Sequence, residues 1–106
     1  MVTYEDFRKV ELKIATIKDV QLHPQADRLY VVTIDTGGVT KQVVAGIRQF
    51  YETEKLIGRQ VVVVDNLEPA VIRGVESQGM LLAASDEAGV SVLSPDRQVK
   101  EGSIVK

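Results

Sequence analysis

The chain has 106 residues, 44% of them hydrophobic, and carries 13 basic against 15 acidic side chains for a formal net charge of −2. That size supports one packed core and no second, and the near balance of charge excludes a blanket electrostatic grip on nucleic acid, so an anion site must be a local patch. The lack of cysteine excludes disulfides, thiol catalysis and sulfur-ligated metals.

The first ten residues include Glu5, Asp6, Arg8 and Lys9, which leaves no apolar stretch for a secretory signal. No apolar run is long enough to cross a bilayer, so the expectation is a cytoplasmic domain without a membrane partner. Thr3 and Asp6 resemble a capping box, with Phe7 as anchor, and predict a short helical turn. Val10, Leu12 and Ile14 alternate with polar residues, and Ile17, Val20 and Leu22 continue after a change of phase, which predicts a long first strand with a bulge. A loop over 21–27 follows, with Pro24 fixing its backbone and Asp27 able to bond its own main chain.

Leu29 to Ile34 reads as the second strand, Asp35-Thr36-Gly37-Gly38 as a hairpin turn, and Lys41 to Ala45 as the third strand. Arg48 to Ile57 suggests a short helix or compact loop ended by Gly58. Arg59 to Asp65 reads as the fourth strand, Glu68 to Val75 as a loop, and Gly79 to Ala84 as the fifth strand. Five strands with one helix between the third and fourth is the order of an all-β, five-stranded oligonucleotide-binding Greek-key barrel. The barrel is expected over about 10–86, with a C-terminal extension over about 87–106, as one domain. That extension carries Val92, Leu93, Val99, Ile104 and Val105, more apolar surface than a free tail should hold.

Ser77-Gln78-Gly79-Met80 places a hydroxyl, an amide, a glycine and a thioether directly before the apolar Leu81 to Ala84. Two readings are open: a turn feeding a core strand, with Met80 filling a gap, or the mouth of a binding site. His23 is the sole histidine, so neither a metal centre nor an acid/base pair has the partners it needs. No catalytic constellation and no cofactor motif is present.

Five segments in this order, Asp6 to Ile14, His23-Pro24-Gln25-Ala26-Asp27-Arg28-Leu29, Val43 to Ile47, Val63 to Leu67 and Ser77 to Ala84, make the chain closely similar to the tRNA-binding domain of methionyl-tRNA synthetases. The resemblance covers nearly the whole chain. It implies a non-catalytic, homodimeric barrel that binds tRNA by shape and backbone, alongside the catalytic part of a methionyl-tRNA synthetase. It carries RNA-binding roles over to Ser77 and Met80. Asn66, at the end of the fourth strand, is placed to reach nucleotide edges or to cap a loop. Lys41, Gln42, Arg48 and Arg73 flank the expected groove as candidate phosphate contacts. Many relatives have lysines where this chain has Glu68 and Val71, which weakens the expected grip on tRNA. The same fold also serves as a dimerisation module with vestigial RNA binding, or as a secretion-associated peptide-binding chaperone.

Overall fold

The computed structural model describes residues 1–106. A helix α1 (Tyr4–Arg8) starts where Thr3 Oγ1 accepts the Asp6 N–H at 3.1 Å, as the capping residues predict. Strands β1 (Leu12–Leu22), β2 (Tyr30–Asp35), β3 (Thr40–Ala45) and β4 (Gln60–Val64) follow, with α2 (Thr53–Leu56) between the last two. The chain continues through β5 (Ala70–Ile72), β6 (Val75–Ser77), β7 (Met80–Leu81), β8 (Ala83–Asp86), β9 (Gly89–Val92) and β10 (Ile104–Val105). No helix is long and apolar enough to cross a membrane.

The main sheet runs β3-β2-β1-β4-β7, with every pair antiparallel. β1 is long enough to serve three partners: residues 16–22 pair with β2, Leu12 to Thr16 pair with β4, and its first two residues also pair with β10. Its register shifts between Ile17 and Asp19, which is the bulge that the change of hydrophobic phase predicts. The inward side chains of these strands make the core, and Ile17, Val32, Ile34, Val43, Val61 and Val63 are fully buried around Leu56 of α2. These are mostly β-branched residues, which suit a pleated, half-buried surface. Strand order and helix placement agree with the five-stranded barrel.

The structure departs from the sequence reading in three places. Most of the Glu68 to Val75 stretch, expected as loop, instead belongs to the β5–β6 hairpin over 70–77, whose two turn residues, Arg73 and Gly74, both have left-handed backbone at φ 52° and 88°. That is the geometry a two-residue hairpin turn demands, and it was obscured because arginine is not a residue that advertises it. The fifth strand is only Met80–Leu81 against β4, and Ala83–Asp86 turns away to pair with β9. Val92 of β9 joins the barrel core, so it is unavailable to a partner. Beyond it, β10 pairs with Leu12 and Lys13 of β1, and Gln60 holds the Val99 backbone through both amide atoms. Tyr30 is buried and donates its hydroxyl to the Tyr51 carbonyl.

Candidate nucleic-acid interface

The Ser77-Gln78-Gly79 segment lies on the seam where β3 curls round to meet β6 and β7. One backbone bond crosses it, from Gln78 N–H to the Gln42 carbonyl at 2.8 Å, and side chains supply the rest. Ser77 is 4% exposed. Its Oγ accepts the Val44 N–H at 2.9 Å and donates to the Gly79 carbonyl at 3.0 Å. Gln78 Oε1 accepts the Gln42 N–H at 2.9 Å, and Gln42 Nε2 donates to the Glu76 carbonyl at 2.7 Å. A Cβ on Gly79 would stand 2.9 Å from the Val64 carbonyl oxygen, so the approach needs glycine. Polar residues that look out of place before a strand therefore close the barrel. Met80, just past the seam, is 46% exposed.

Two further nominated residues also hold the fold. Lys41 Nζ meets Asp65 Oδ1 at 2.8 Å and the Asp65 carbonyl at 2.9 Å, while Lys13 Nζ meets Asp65 Oδ2 at 2.9 Å. Burial pushes the Asp65 carboxyl up, but the hydrogen bonds from Lys13 and Lys41 and their charges outweigh it and hold the group below its ordinary value. The same hydrogen bond and charge raise Lys13. Asn66 donates Nδ2 to the Lys9 carbonyl at 2.7 Å and accepts the Glu11 N–H on Oδ1 at 2.8 Å, tying the end of β4 to the α1–β1 link.

Arg48 and Arg73 are brought together by the loop between β1 and β2. Arg48 donates Nη1 to the Ala26 carbonyl at 3.2 Å, and Arg73 donates Nη2 to the Gln25 carbonyl at 3.2 Å. His23 explains how that loop meets the β5–β6 hairpin. Its buried ring accepts the Gln25 N–H on Nδ1 at 3.0 Å, which leaves Nε2–H to donate to the Ile72 carbonyl at 3.0 Å. Arg28 and Arg73 then line one recess of about 440 Å³ with Gln25, Asp27 and Leu29. Two guanidiniums thus bond the 23–29 loop, and Arg28 of that loop lines the recess with Arg73, in a chain whose net charge is negative.

Sequence reasoning missed Arg28 as a site residue, although it stands inside the His23–Leu29 motif. Only the fold shows it across from Arg73. Asp27 was expected to bond its own main chain, but the turn is closed by Leu29 N–H to the Ala26 carbonyl at 3.3 Å instead. A second recess, of about 480 Å³, is apolar and lies between α1 and β10, lined by Tyr4, Phe7, Val10, Leu12, Ile104 and Val105 among others.

A family model described as "Putative tRNA binding domain" matches residues 12–104. The chain is 52% identical over 105 residues to a methionine-tRNA ligase of Pyrococcus furiosus, which covers 99% of this chain and 14% of that protein. It therefore spans about one seventh of the length of that relative. Among solved structures, a MetRS related protein from Pyrococcus horikoshii superposes with a TM-score of 0.92 at 30% identity, covering 100% of this chain and 98% of the other. The CsaA chaperone protein from Picrophilus torridus superposes with a TM-score of 0.93 at 29% identity, covering 100% of both.

Proposed function

The chain belongs to the tRNA-binding domain family, and from that premise we propose that residues 1–106 act as one non-catalytic, cytoplasmic domain that binds tRNA by shape and backbone without selecting its sequence. The observation that carries this reading is the placement of Arg28, Arg48 and Arg73 at the 23–29 loop beside the β5–β6 hairpin. Barrels of this type take nucleic acid beside the connections from the first to the second and from the fourth to the fifth strand, and planar guanidinium forks match phosphate oxygens. Met80 adds an exposed apolar contact for a ribose or base. Ser77 and Gln42 close the barrel seam, while Lys41 pairs with Asp65 and Asn66 ties β4 to the α1–β1 link, so these four serve the fold.

The relatives point to service beside the catalytic body of a methionyl-tRNA synthetase, where such a domain raises the local concentration of tRNA. Two copies joined through the apolar α1–β10 recess would double that effect. A second reading, a peptide-binding chaperone, is favoured by the equally close superposition on the CsaA protein and by the exposed Leu67, Val71 and Met80.

Titration of the chain with bulk tRNA, duplex DNA and an unfolded polypeptide separates these readings. The tRNA reading expects binding of tRNA in preference to both. Preference for the polypeptide would support the chaperone, and binding of none of them would leave a dimerising module.

A further inference from the structure

We propose that the recess between the 23–29 loop and the β5–β6 hairpin is a subsite for one ribonucleotide of a bound RNA, with Arg28 and Arg73 on the phosphate and the Asp27 carboxylate accepting the ribose 2′-OH. The inference rests on the tRNA-binding reading.

The fold itself uses most polar groups of this loop. Both ring nitrogens of His23 are bonded, the Gln25 N–H and carbonyl are taken by His23 and Arg73, and the Ala26 carbonyl receives both Leu29 N–H and Arg48. The Arg28 carbonyl accepts the Arg48 N–H at 3.4 Å. The side chains of Gln25, Asp27 and Arg28 are the exceptions, and Asp27 and Arg28 are the charged two among them. Both are exposed, neither takes part in any of the ion pairs of the chain, and both line the recess. An aspartate in a tight turn ordinarily bonds its own backbone, and here the turn closes without it.

A carboxylate beside two guanidiniums is a poor feature for plain phosphate binding, because it repels every phosphate that approaches. It gains something only from a ligand that brings a hydrogen-bond donor to it. On a sugar-phosphate backbone that donor is the 2′-OH, which RNA has and DNA lacks. The recess, at about 440 Å³, is of the size of one nucleotide. Its walls are preset, since the His23 bonds join loop to hairpin and the Arg73-Gly74 turn fixes where the Arg73 fork begins.

The test titrates the full chain, with and without Asp27→Ala, against a tRNA transcript and an all-deoxy oligonucleotide of the same sequence. The unsubstituted chain should favour the RNA. In Asp27→Ala the ratio of RNA to DNA affinity should fall by about ten-fold or more, the usual worth of a hydrogen bond to a charged group, while binding of the deoxy oligonucleotide holds or tightens. Asp27→Asn, which keeps a weaker acceptor, should fall between. Arg28→Gln should instead lower the slope of log affinity against log salt by about 0.7–0.9 on both ligands. An unchanged ratio in Asp27→Ala, whether affinities hold or drop together, overturns the subsite while leaving tRNA binding in place. Failure of the unsubstituted chain to bind tRNA overturns the subsite and the reading beneath it.

Discussion

The Ser77 hydroxyl stands between the Val44 N–H, at 2.9 Å, and the Gly79 carbonyl, at 3.0 Å, and so fastens β3 to the segment that leads into β7. Removing it leaves a buried donor and a buried acceptor unpaired. Each costs about 1–3 kcal/mol, and a domain of this size loses roughly 4–8 °C of melting temperature per kcal/mol. Thermal unfolding of Ser77→Ala should show that loss, whereas Met80→Ala, at a half-exposed position, should cost less than the roughly 2–5 kcal/mol of a buried methionine. An unaltered midpoint in Ser77→Ala would mean that the seam does not depend on this hydroxyl.

A pH profile of stability tests the Asp65 cluster. Because the folded Asp65 carboxyl lies below its ordinary value, its contribution is present above the unfolded pKa and is lost as pH falls through the folded one. The thermal midpoint should therefore decline below about pH 4. Asp35, lowered by the Gly38 and Gly37 N–H groups, adds to the same acid limb. Lys13 is raised, so its share is complete below the unfolded lysine value and is lost as pH rises through the folded one, beyond about pH 10.5. Asp65→Asn should lower the midpoint at neutral pH and flatten the acid limb. An acid limb unchanged in that variant would show that the pairing contributes nothing.

Much of the barrel was legible because its strands alternate cleanly and its apolar runs have strand length. Ile17 and Val20 follow Ile14 out of phase, and the β1 bulge sits there. The β5–β6 hairpin was not legible, since Arg73 adopts a left-handed conformation that its side chain does not signal. The site was half legible. Arg48 and Arg73 do meet at one loop, through the Ala26 and Gln25 carbonyls, but the spacing of Ser77, Gln42, Lys41 and Asn66 gives no hint that groups far along the chain occupy their polar atoms. Arg28 was hidden for the converse reason: its partner in the recess belongs to a hairpin that the sequence did not reveal.

Glu68 and Val71 occupy exposed positions near the same hairpin, Val71 being 72% exposed. The double substitution Glu68→Lys with Val71→Lys should tighten tRNA binding and steepen the salt slope by about 0.7–0.9 for each lysine that reaches a phosphate. Val71 pairs across the strands with Glu76, so a lysine there faces a carboxylate and should not cost stability. If affinity and slope both stay where they are, the RNA path does not border this connection.

Self-association is tested at Ile104, 74% exposed on the apolar recess beside Phe7 and Val10. Sedimentation at micromolar concentration should give a dimer for the unsubstituted chain and a monomer for Ile104→Glu, with similar thermal midpoints for the folded monomer. A monomeric unsubstituted chain would remove the dimer, and a dimeric Ile104→Glu would place the interface elsewhere.

The most direct measurement is the salt dependence of tRNA binding by the unsubstituted chain and by Arg28→Gln with Arg73→Gln, two exposed side chains at the mouth of one recess. Loss of two phosphate contacts should weaken binding and reduce the slope of log affinity against log salt by about 1.4–1.8, with the fold intact. Equal affinity and equal slope in the two proteins would show that tRNA does not dock on this end of the barrel.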